Sequence, residues 1–442
     1  MKTKDTFHNF YNEIHLDGIF SYESAIKTIT KKLNEKYYNP NVKDIDTSNC
    51  VIVGSIGRGT AIKNTSDVDM LFILPWSVYY RFDAYKFNGQ SALLQEIKAE
   101  LVKRYPRTDI KGDGQAVVVG FDRFSIDLVP AFKLSDGSFV FPDSNNGGRW
   151  NNTNPIPEQV KSSLINKDSN NNFIQLANML RCWKDNSGFI FSGLLIDTLV
   201  YDFLNRYHEY FYYDFDKYDE LIKSLLKFLS EKDGKDNVYA LGSGQLVHDK
   251  GKGKYIEEAK GFYDELCKCS SPTEFENVFF CMFGNRFKKN MVESASNIVI
   301  DSFIKEYKCN RTEQFIEDLF PINIKYSLRI NCNVKANGWR VKKLRDLKRI
   351  PFQRHLEFYI EDTNVPKPYS IYWKVRNLGE EAYRLNQIRG EIRKGENKKR
   401  ERSEFNGPHY VECYLVKNGV CVARDKIPVN IYGGTVDGLE AF

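Results

Sequence analysis

The chain has 442 residues, of which 42% are hydrophobic and 28% are charged, a balance typical of globular proteins. Its length corresponds to roughly two or three domains. The formal charge of +6 is uneven, because residues 321–442 carry 24 Lys and Arg against 14 Asp and Glu. This distribution argues against a uniformly basic nucleic-acid coat protein and favours a localised surface that faces an anionic partner.

Two other protein classes are disfavoured by the sequence. No apolar run reaches the ~18 residues that a membrane span needs, and the first residues, MKTKDTFHNFYNEI, lack the apolar core of a secretory signal. The nine cysteines are scattered without a CxxC pair, which disfavours a zinc ribbon or a disulfide framework. We therefore expect a cytoplasmic protein with reduced cysteines.

The first part of the chain predicts a mixed sheet with helices. Helical periodicity over residues 7–38 is followed by short apolar strands and, over residues 89–104, by an amphipathic helix. The predicted strands are Cys50–Ser55, Val68–Leu74, Ala116–Phe121 and Phe124–Phe132. Because a hairpin is combined with a long helical crossover, the sheet should contain both parallel and antiparallel pairs.

The rest of the chain divides into a helical part and a β-rich part. Apolar periodicity predicts helices up to about residue 318, whereas short alternating segments with turn residues follow from Pro321. The charged run Arg393–Glu404 and the Gly- and Lys-rich segment Leu241–Lys254 are interpreted as flexible loops. The predicted domains are residues 1–160, 161–320 and 321–442.

The segment VIVGSIGRGTAIKNTSDVDMLFIL, residues 51–74, has the clearest chemical meaning. A strand leads into Gly54 and Ser55, and a second strand carries Asp67 and Asp69. These two carboxylates should share a face, because side chains alternate along a strand. Two acids on an apolar strand are costly unless a cation neutralises them, and Mg²⁺ that bridges to phosphates suits their oxygens. Glycine backbone and the Ser55 hydroxyl complete a predicted triphosphate platform.

A third carboxylate, Asp127, lies inside the apolar strand segment SIDLVP. Phosphoryl transfer with two metal ions requires a ligand on the side of the attacking hydroxyl, and we predict that Asp127 fills this role and helps to deprotonate a ribose hydroxyl. Asp122 is a nearby alternative, but it lies beside a turn. The competing interpretation of Asp67 and Asp69, two solvated acids at a sheet edge, does not account for the upstream Gly-Ser pair.

These residues match the signature of the DNA polymerase β-like nucleotidyltransferases: Gly54 and Ser55, Thr60, Asp67-Val68-Asp69 and Asp127. The wider context resembles the bacterial CD-NTases, the cGAS/DncV-like second-messenger synthases with a SMODS domain. That resemblance is carried by SIDLVPAF, FVFPDSNNGGRWNNTNPIPE and RCWK. IYWKVRNLGEEA, QIRGEI and HYVECYLVKNGVCVAR are similar to the C-terminal sensor domain AGS-C. The resemblance implies an α+β fold: a polymerase β-like palm with a helical lobe, followed by a β-sandwich-like domain.

The resemblance also implies an activity. The chain would join NTPs, ATP and/or GTP, into a cyclic di- or trinucleotide and release pyrophosphate, in antiphage (CBASS-type) signalling. Mg²⁺, or alternatively Mn²⁺, would be held by Asp67, Asp69 and Asp127 as catalytic residues, and Gly54 and Ser55 would bind the triphosphate. The product would act on a downstream effector, and an activating ligand or nucleic acid could bind the basic C-terminal domain. No membrane partner is expected.

Two further phosphate-binding positions follow only from the resemblance. Family members hold donor phosphates with a helix lysine and a later serine, at the places of Lys184 and Ser192. Taken alone, Lys184 equally fits a solvated helix end, and Ser192 fits an N-cap for a helix beginning at Gly193. The family often has an aromatic residue where this chain has Gly193, so the donor base would stack elsewhere. Ser243 and its flanking glycines fit a flexible loop better than a phosphate cradle, because no strand is predicted before them.

Rival functions stay open at this point. Within enzymes, they are synthesis of a linear oligonucleotide and transfer of a nucleotide to a macromolecule. Outside enzymes, the rival is an inactive module that senses nucleic acid or nucleotides through the basic C-terminal domain.

Overall fold

The computed structural model describes residues 3–16, 20–38, 47–63, 65–122, 124–287, 314–335, 341–347, 349–377, 389–404 and 407–432. The chain divides into two compact units. One comprises Lys2–Asn186 with Phe191–Lys289, and the other comprises Met1, Ser187–Ile190 and Asn290–Phe442. None of the helices in the described ranges is long and apolar enough to cross a membrane.

The first unit begins with helices and a mixed sheet. The helices are α1 Thr3–Ile14, α2 Phe20–Tyr37, α3 Gly54–Gly57, α4 Trp76–Asp83 and α5 Gly89–Arg104. The strands are β1 Cys50–Ile52, β2 Asp67–Ile73, β3 Asp109–Asp113, β4 Ala116–Gly120, β5 Ser125–Lys133, β6 Phe139–Asp143 and β7 Arg149–Thr153. Their order is β1-β2-β5-β4-β3, and β6 pairs with both β5 and β7. Of these pairs, β2–β5 is parallel and the others are antiparallel, which confirms the predicted mixed sheet.

Alternation along β2 and β5 places the core on one face of this sheet. Val68, Met70 and Phe72 are fully buried, and on β5 so are Ile126 and Leu128. They belong to one apolar cluster with residues of α2 and α5, including Ile29, Leu33, Leu93 and Ile97. The intervening positions of β2 and β5 therefore point to the opposite face, where the predicted site residues lie.

The first unit continues as a helical region. Its helices are α6 Pro155–Asp168, α7 Asn172–Ser187, α8 Gly193–Arg206, α9 Tyr218–Ser230, α10 Lys254–Lys268 and α11 Pro272–Phe283. Short 3-10 helices lie at Asn145–Gly147, His208–Tyr212, Phe215–Lys217 and Gly284–Arg286. The predicted boundary at residues 160 and 161 falls inside α6 and stays a prediction, as do the other domain boundaries. The predicted helices beyond residue 287 lie largely outside the described residues.

The segment Leu241–Lys254 differs from its interpretation as a flexible loop. It follows a two-residue strand, β8 Val238–Tyr239, that pairs with β9 Leu246–Val247. Leu241 is buried, and the Ser243 hydroxyl donates to Glu158 Oε1 at 3.0 Å. A strand therefore precedes Ser243, and the first residues of the segment are held by the burial of Leu241 and by the Ser243 hydrogen bond.

The second unit contains two sheets. Its strands are β10 Leu328–Lys335, β11 Lys342–Lys343, β12 Ile350–Pro351, β13 His355–Thr363, β14 Ser370–Arg376, β15 Arg389–Gly395, β16 Lys398–Arg402, β17 Gly407–Lys417 and β18 Val420–Tyr432, with short helices at Ile316–Leu319 and Leu344–Asp346. One sheet has the order β11-β10-β13-β16 and the other β12-β18-β17-β14-β15. Buried residues of both sheets, among them Ile330, Phe358, Trp373 and Leu415, form one cluster. The predicted β-sandwich-like domain is thus confirmed.

The interpretation of Arg393–Glu404 as a flexible loop was wrong. This run completes β15 and forms β16, which pairs with β13 from His355↔Arg402 to Tyr359↔Lys398. All five residues of β16 are charged and their exposure alternates, so the strand turns Lys398, Arg400 and Arg402 away from the core while its backbone extends the sheet. The run was interpreted as a loop because it is highly charged. An edge strand with one solvated face can carry the same charge, and the sequence alone does not distinguish the two.

Candidate active site

The parallel pairing of β2 and β5 brings the three predicted carboxylates to one region of the sheet. Asp67 lies opposite Ser125, and Asp69 lies opposite Asp127. All three aspartates are half-buried, and each alternates with residues that face the core. The Ser125 hydroxyl donates to Asp127 Oδ1 at 3.4 Å. Two strands that are distant in the chain therefore contribute acids to the same face.

Gly54 lies directly against one of these acids. Its φ is +64°, and a Cβ built on it would come within 1.9 Å of Asp69 Oδ2. A side chain at residue 54 would therefore displace the carboxylate, and only glycine tolerates both this contact and the left-handed backbone. The Val53 N–H also donates to the Asp69 carbonyl at 2.9 Å. The Gly-Ser pair and Asp69 thus form one local structure.

The turn after Gly54 is held by its own backbone and by α6. The Thr60 N–H donates to the Ser55 carbonyl at 2.9 Å, and the Gly57 N–H donates to the Val53 carbonyl at 3.0 Å. Gln159 of α6 donates to the Ile52 carbonyl at 2.8 Å. Ser55 is therefore held on a short, closed turn beside the aspartates.

The donor set of this face fits a hard divalent cation in chemistry. Its side chains offer carboxylate oxygens, which Mg²⁺ and similar ions prefer, and the glycine at position 54 leaves Asp69 room that a side chain would fill. Within the residues that the structure describes, no group of three or more His, Cys, Asp or Glu side chains is already gathered as a metal site. The three acids thus share a face without forming a closed cluster.

A buried charge network behind the turn was not anticipated from the sequence. Arg58 Nε donates to Asp197 Oδ2 at 2.7 Å, and Arg58 Nη1 donates to Glu158 Oε2 at 3.2 Å. Arg181 donates to both Asp197 oxygens, at 2.7 and 2.9 Å, and the Thr60 hydroxyl donates to Asp197 Oδ2 at 2.9 Å. The network therefore connects the glycine turn with α6, α7 and α8.

The two carboxylates of this network have opposite pKa shifts. Burial alone would raise the pKa of Asp197, but the guanidinium groups of Arg181 and Arg58 outweigh burial and hold that pKa below its usual range. For Glu158, burial outweighs the attraction of Arg58 and the Ser243 hydrogen bond, so its pKa is raised. Asp197 is thus the ionised centre of the network. Arg58 directly follows Gly57, so its place in the glycine turn was visible in the sequence. Its partners Glu158 and Asp197 were not predictable, because they lie far along the chain.

Lys184 and Ser192 are placed by α7 and α8. Lys184 Nζ lies 3.0 Å from Asp185 Oδ1, and its side chain is only 13% exposed, which does not fit a solvated helix end. Ser192 is the N-cap residue of α8 in extended backbone, as the capping interpretation expects, but its side chain makes no capping hydrogen bond. Arg181 donates to the Gly193 carbonyl at 3.1 Å, so the start of α8 is attached to the Asp197 network. Their role in binding phosphate stays a prediction.

Two family models match the chain. Residues 1–166 match the Second Messenger Oligonucleotide or Dinucleotide Synthetase domain, SMODS, and residues 310–432 match the Adenylyl/Guanylyl and SMODS C-terminal sensor domain, AGS-C. The chain is a CD-NTase, a member of a nucleotidyltransferase family, with a C-terminal AGS-C domain. The SMODS match contains Gly54, Ser55 and the three aspartates, whereas Lys184 and Ser192 lie outside both matched ranges.

Individual relatives of this CD-NTase are distant. A probable cyclic nucleotide synthase of Bacillus cereus is 23% identical over 186 residues, which are 35% of this chain and 56% of that protein. The match therefore spans about half of the relative's length. CdnC of Escherichia coli with ATP is 17% identical at a TM-score of 0.48, covering 65% of this chain and 99% of CdnC. The DncV cyclic AMP-GMP synthase of Vibrio cholerae is 13% identical at a TM-score of 0.43, covering 65% and 87%.

Proposed function

We propose that this CD-NTase is an Mg²⁺-dependent enzyme that joins NTPs into a cyclic di- or trinucleotide and releases pyrophosphate. One observation carries the proposal: Asp69 pairs in register with Asp127 while the backbone of Gly54 lies against the Asp69 carboxylate. A phosphate-binding turn and acids from two strands thereby meet at one place, which a pure binding module does not need. The SMODS match over these residues supports the same proposal.

Bound Mg²⁺ would supply positive charge for the transferring nucleotidyl group and for the pyrophosphate that leaves. Asp67, Asp69 and Asp127 would hold it through carboxylate oxygens, since all three lie on one face of the β2–β5 pair. Mn²⁺ has the same preference for oxygen ligands and could replace it.

The protein's own groups would position the reactants. The half-buried backbone of the Gly54 turn and the Ser55 hydroxyl would contact the triphosphate of the donor, with Lys184 and Ser192 as further phosphate contacts. A ribose 2′- or 3′-hydroxyl oxygen forms a bond to the α-phosphorus, and the bond from that phosphorus to the bridging oxygen of the β-phosphate breaks. The hydroxyl proton passes to the Asp127 carboxylate, and pyrophosphate leaves with the bonding electrons.

A second transfer within the linear product would close the ring. The product would then act on a downstream effector in antiphage signalling of the CBASS type, with ATP and/or GTP as substrates. Support for cyclisation comes from the family to which the chain belongs.

The test is incubation of the full chain with Mg²⁺ and each α-³²P-labelled NTP in an equimolar mixture, followed by phosphatase and mass spectrometry. We expect small products that resist phosphatase and have the mass of a cyclic di- or trinucleotide. Phosphatase-sensitive oligomers would instead indicate a linear product, and label on a macromolecule would indicate macromolecular transfer. No incorporation by a folded protein with any NTP or metal would overturn the enzymatic proposal.

A further inference from the structure

The outer face of the four-stranded sheet in the AGS-C domain carries an ordered array of charges. Along β10 and β13, Ile330, Cys332 and Phe358 point into the sandwich core and are almost fully buried. Because side chains alternate along strands, the residues between them point outward. We call this outer surface the basic sheet face. It consists of Arg329, Asn331, Asn333 and Lys335 on β10, Lys343 on β11, His355, Glu357, Tyr359, Glu361 and Asp362 on β13, and Lys398, Arg400 and Arg402 on β16.

The pairing register arranges these side chains in rows across the strands. The rows read Lys335–His355–Arg402, Asn333–Glu357–Arg400 and Asn331–Tyr359–Lys398. Residues two apart on a strand are separated by about 6.8 Å, and neighbouring strands by about 4.8 Å. The last residue of each row is a cation on β16, the edge strand of its sheet. A row of cations along an open edge forms a track rather than a single pocket.

Positive charge exceeds what the acids of this face neutralise. Six Lys and Arg side chains accompany three carboxylates, Glu357, Glu361 and Asp362, which lies opposite Arg329. Glu357 contacts Lys335 at 3.2 Å, Lys398 at 3.1 Å and Arg400 at 3.8 Å. Three acids among six cations leave a surplus of three positive charges on one side of one sheet.

Glu357 and Glu361 are less exposed to solvent than the cations that they contact. The Glu357 side chain is 12% exposed, whereas Arg400 is 85% exposed and Lys398 62%. The Glu361 side chain is also less exposed than its partners, and it contacts Arg329 at 3.1 Å and Lys343 at 2.9 Å. A partner approaching the sheet therefore meets the exposed cations first.

We infer that the basic sheet face binds single-stranded nucleic acid through its phosphate backbone. A line of cations on β16 suits a linear polyanion, because counterion release favours each phosphate contact. Tyr359 lies in the row beside Lys398, and an aromatic ring suits unpaired bases, which stack on it. An anionic membrane is a poorer fit, because none of the residues that define the face is a large aliphatic one that could insert between lipids.

The test measures binding of the full chain to fluorescent oligouridylate RNA over a series of salt concentrations, without NTPs. The test variant is Lys398→Gln/Arg400→Gln/Arg402→Gln. Its matched control is Lys167→Gln/Lys227→Gln/Lys260→Gln, which removes three exposed charges from the other compact unit. Circular dichroism and thermal melting establish that both variants fold.

We expect wild type and control to bind with the same salt dependence. In the test variant, affinity should fall at least about tenfold at low salt, and the slope of log K against log salt should be smaller by about 2, since single strands contribute about 0.7 per phosphate contact. Equal slopes for the test variant and the wild type would overturn the inference. So would an equal loss in the control, or binding to phosphatidylserine vesicles in preference to RNA. Because no NTP is present, this result is independent of whether the enzymatic proposal holds.

Discussion

Arg58 and Asp197 form a buried ion pair, with Arg58 Nε 2.7 Å from Asp197 Oδ2 and side chains that are 7% and 0% exposed. The pair joins the turn that contains Gly54 and Ser55 to helix α8, whose first residue follows Ser192. The proposed phosphate contacts on the turn and at the start of α8 are thus held by one network. The position of the turn relative to the helical region depends on this pair.

We predict strong energetic coupling between Arg58 and Asp197. Arg58→Gln or Asp197→Asn alone should lower the free energy of unfolding by about 3–5 kcal/mol, because each removes one charged partner from a buried network and leaves the opposite charge less compensated. Arg58→Gln/Asp197→Asn together should cost less than the sum of the two single changes. Urea unfolding of the four proteins measures this coupling. The exposed pair Lys4–Asp214, at 2.6 Å, is the control, and Lys4→Gln should leave unfolding unchanged. Strict additivity at Arg58 and Asp197 would contradict the prediction.

Gly54→Ala should abolish most activity while the protein stays folded. The new Cβ would lie 1.9 Å from Asp69 Oδ2 and would also strain a backbone with φ of +64°. Gly137→Ala separates these two effects, because φ there is +87° but no atom lies within 4 Å of the added Cβ. Each change should cost about 1–2 kcal/mol in backbone strain, and only Gly54→Ala should reduce kcat. Equal kcat in the two variants would disprove the proposed contact between turn and carboxylate.

Asp69→Asn and Asp127→Asn should each lower kcat by on the order of 10²–10³-fold or more, as expected when a group that stabilises transition-state charge is lost. Asp122→Asn is the matched control, because Asp122 lies beside the turn before β5 and outside the β2–β5 pairing. The measurement is pyrophosphate release at saturating NTP and Mg²⁺. If Asp122→Asn were as damaging as Asp127→Asn, the assignment of the third acid would have to move to Asp122.

Ser192→Ala tests the donor-phosphate role directly. The Ser192 side chain makes no capping hydrogen bond, so its removal should leave the melting temperature unchanged. If its hydroxyl holds a donor phosphate, KM for NTP should rise by about tenfold, the equivalent of one hydrogen bond to a charged group. Ser271 provides the opposite control, since it caps α11 in a capping box. Ser271→Ala should cost about 1 kcal/mol in stability without changing KM. An unchanged KM in Ser192→Ala would contradict the role of Ser192 in binding a donor phosphate.

Glu412 should make the AGS-C domain acid-sensitive. Burial alone would raise its pKa, but Arg424 and Lys374 outweigh burial and lower that pKa to about 2 from an ordinary value of 4.5. Because the folded-state pKa is depressed, the stabilisation is complete above pH 4.5 and is lost as pH falls toward 2.

Urea unfolding at a series of pH values measures the dependence on pH of the free energy of unfolding. This dependence should be present in wild type and weaker in Glu412→Gln. The variant should also be less stable at neutral pH by about 3–5 kcal/mol. Identical slopes would contradict the depressed pKa.

The sequence predicted the elements whose signal is local. Helix α5 has the bounds that its apolar periodicity indicates, Gly89–Arg104, and β2 and β5 lie where the apolar runs predict them. That Asp67 and Asp69 share a face follows from alternation along one strand. The strand β16 was missed because every one of its residues is charged, and the contact of Ser243 with Glu158 of α6 was not predicted because the two residues are far apart in the chain.

Pairings between distant residues depend on the tertiary structure. Asp69 faces Asp127 only because β2 and β5 pair in one register, and Arg58 meets Asp197 across 139 residues of chain. A shift of one residue in either strand would turn its acid to the core, and no local pattern specifies that register. The same reasoning applies to the positive charge of residues 321–442. Its total and its place in the chain are evident from the sequence alone, but its concentration on one sheet face required the pairing of β10, β11, β13 and β16, because only that register brings cations from separate strands side by side.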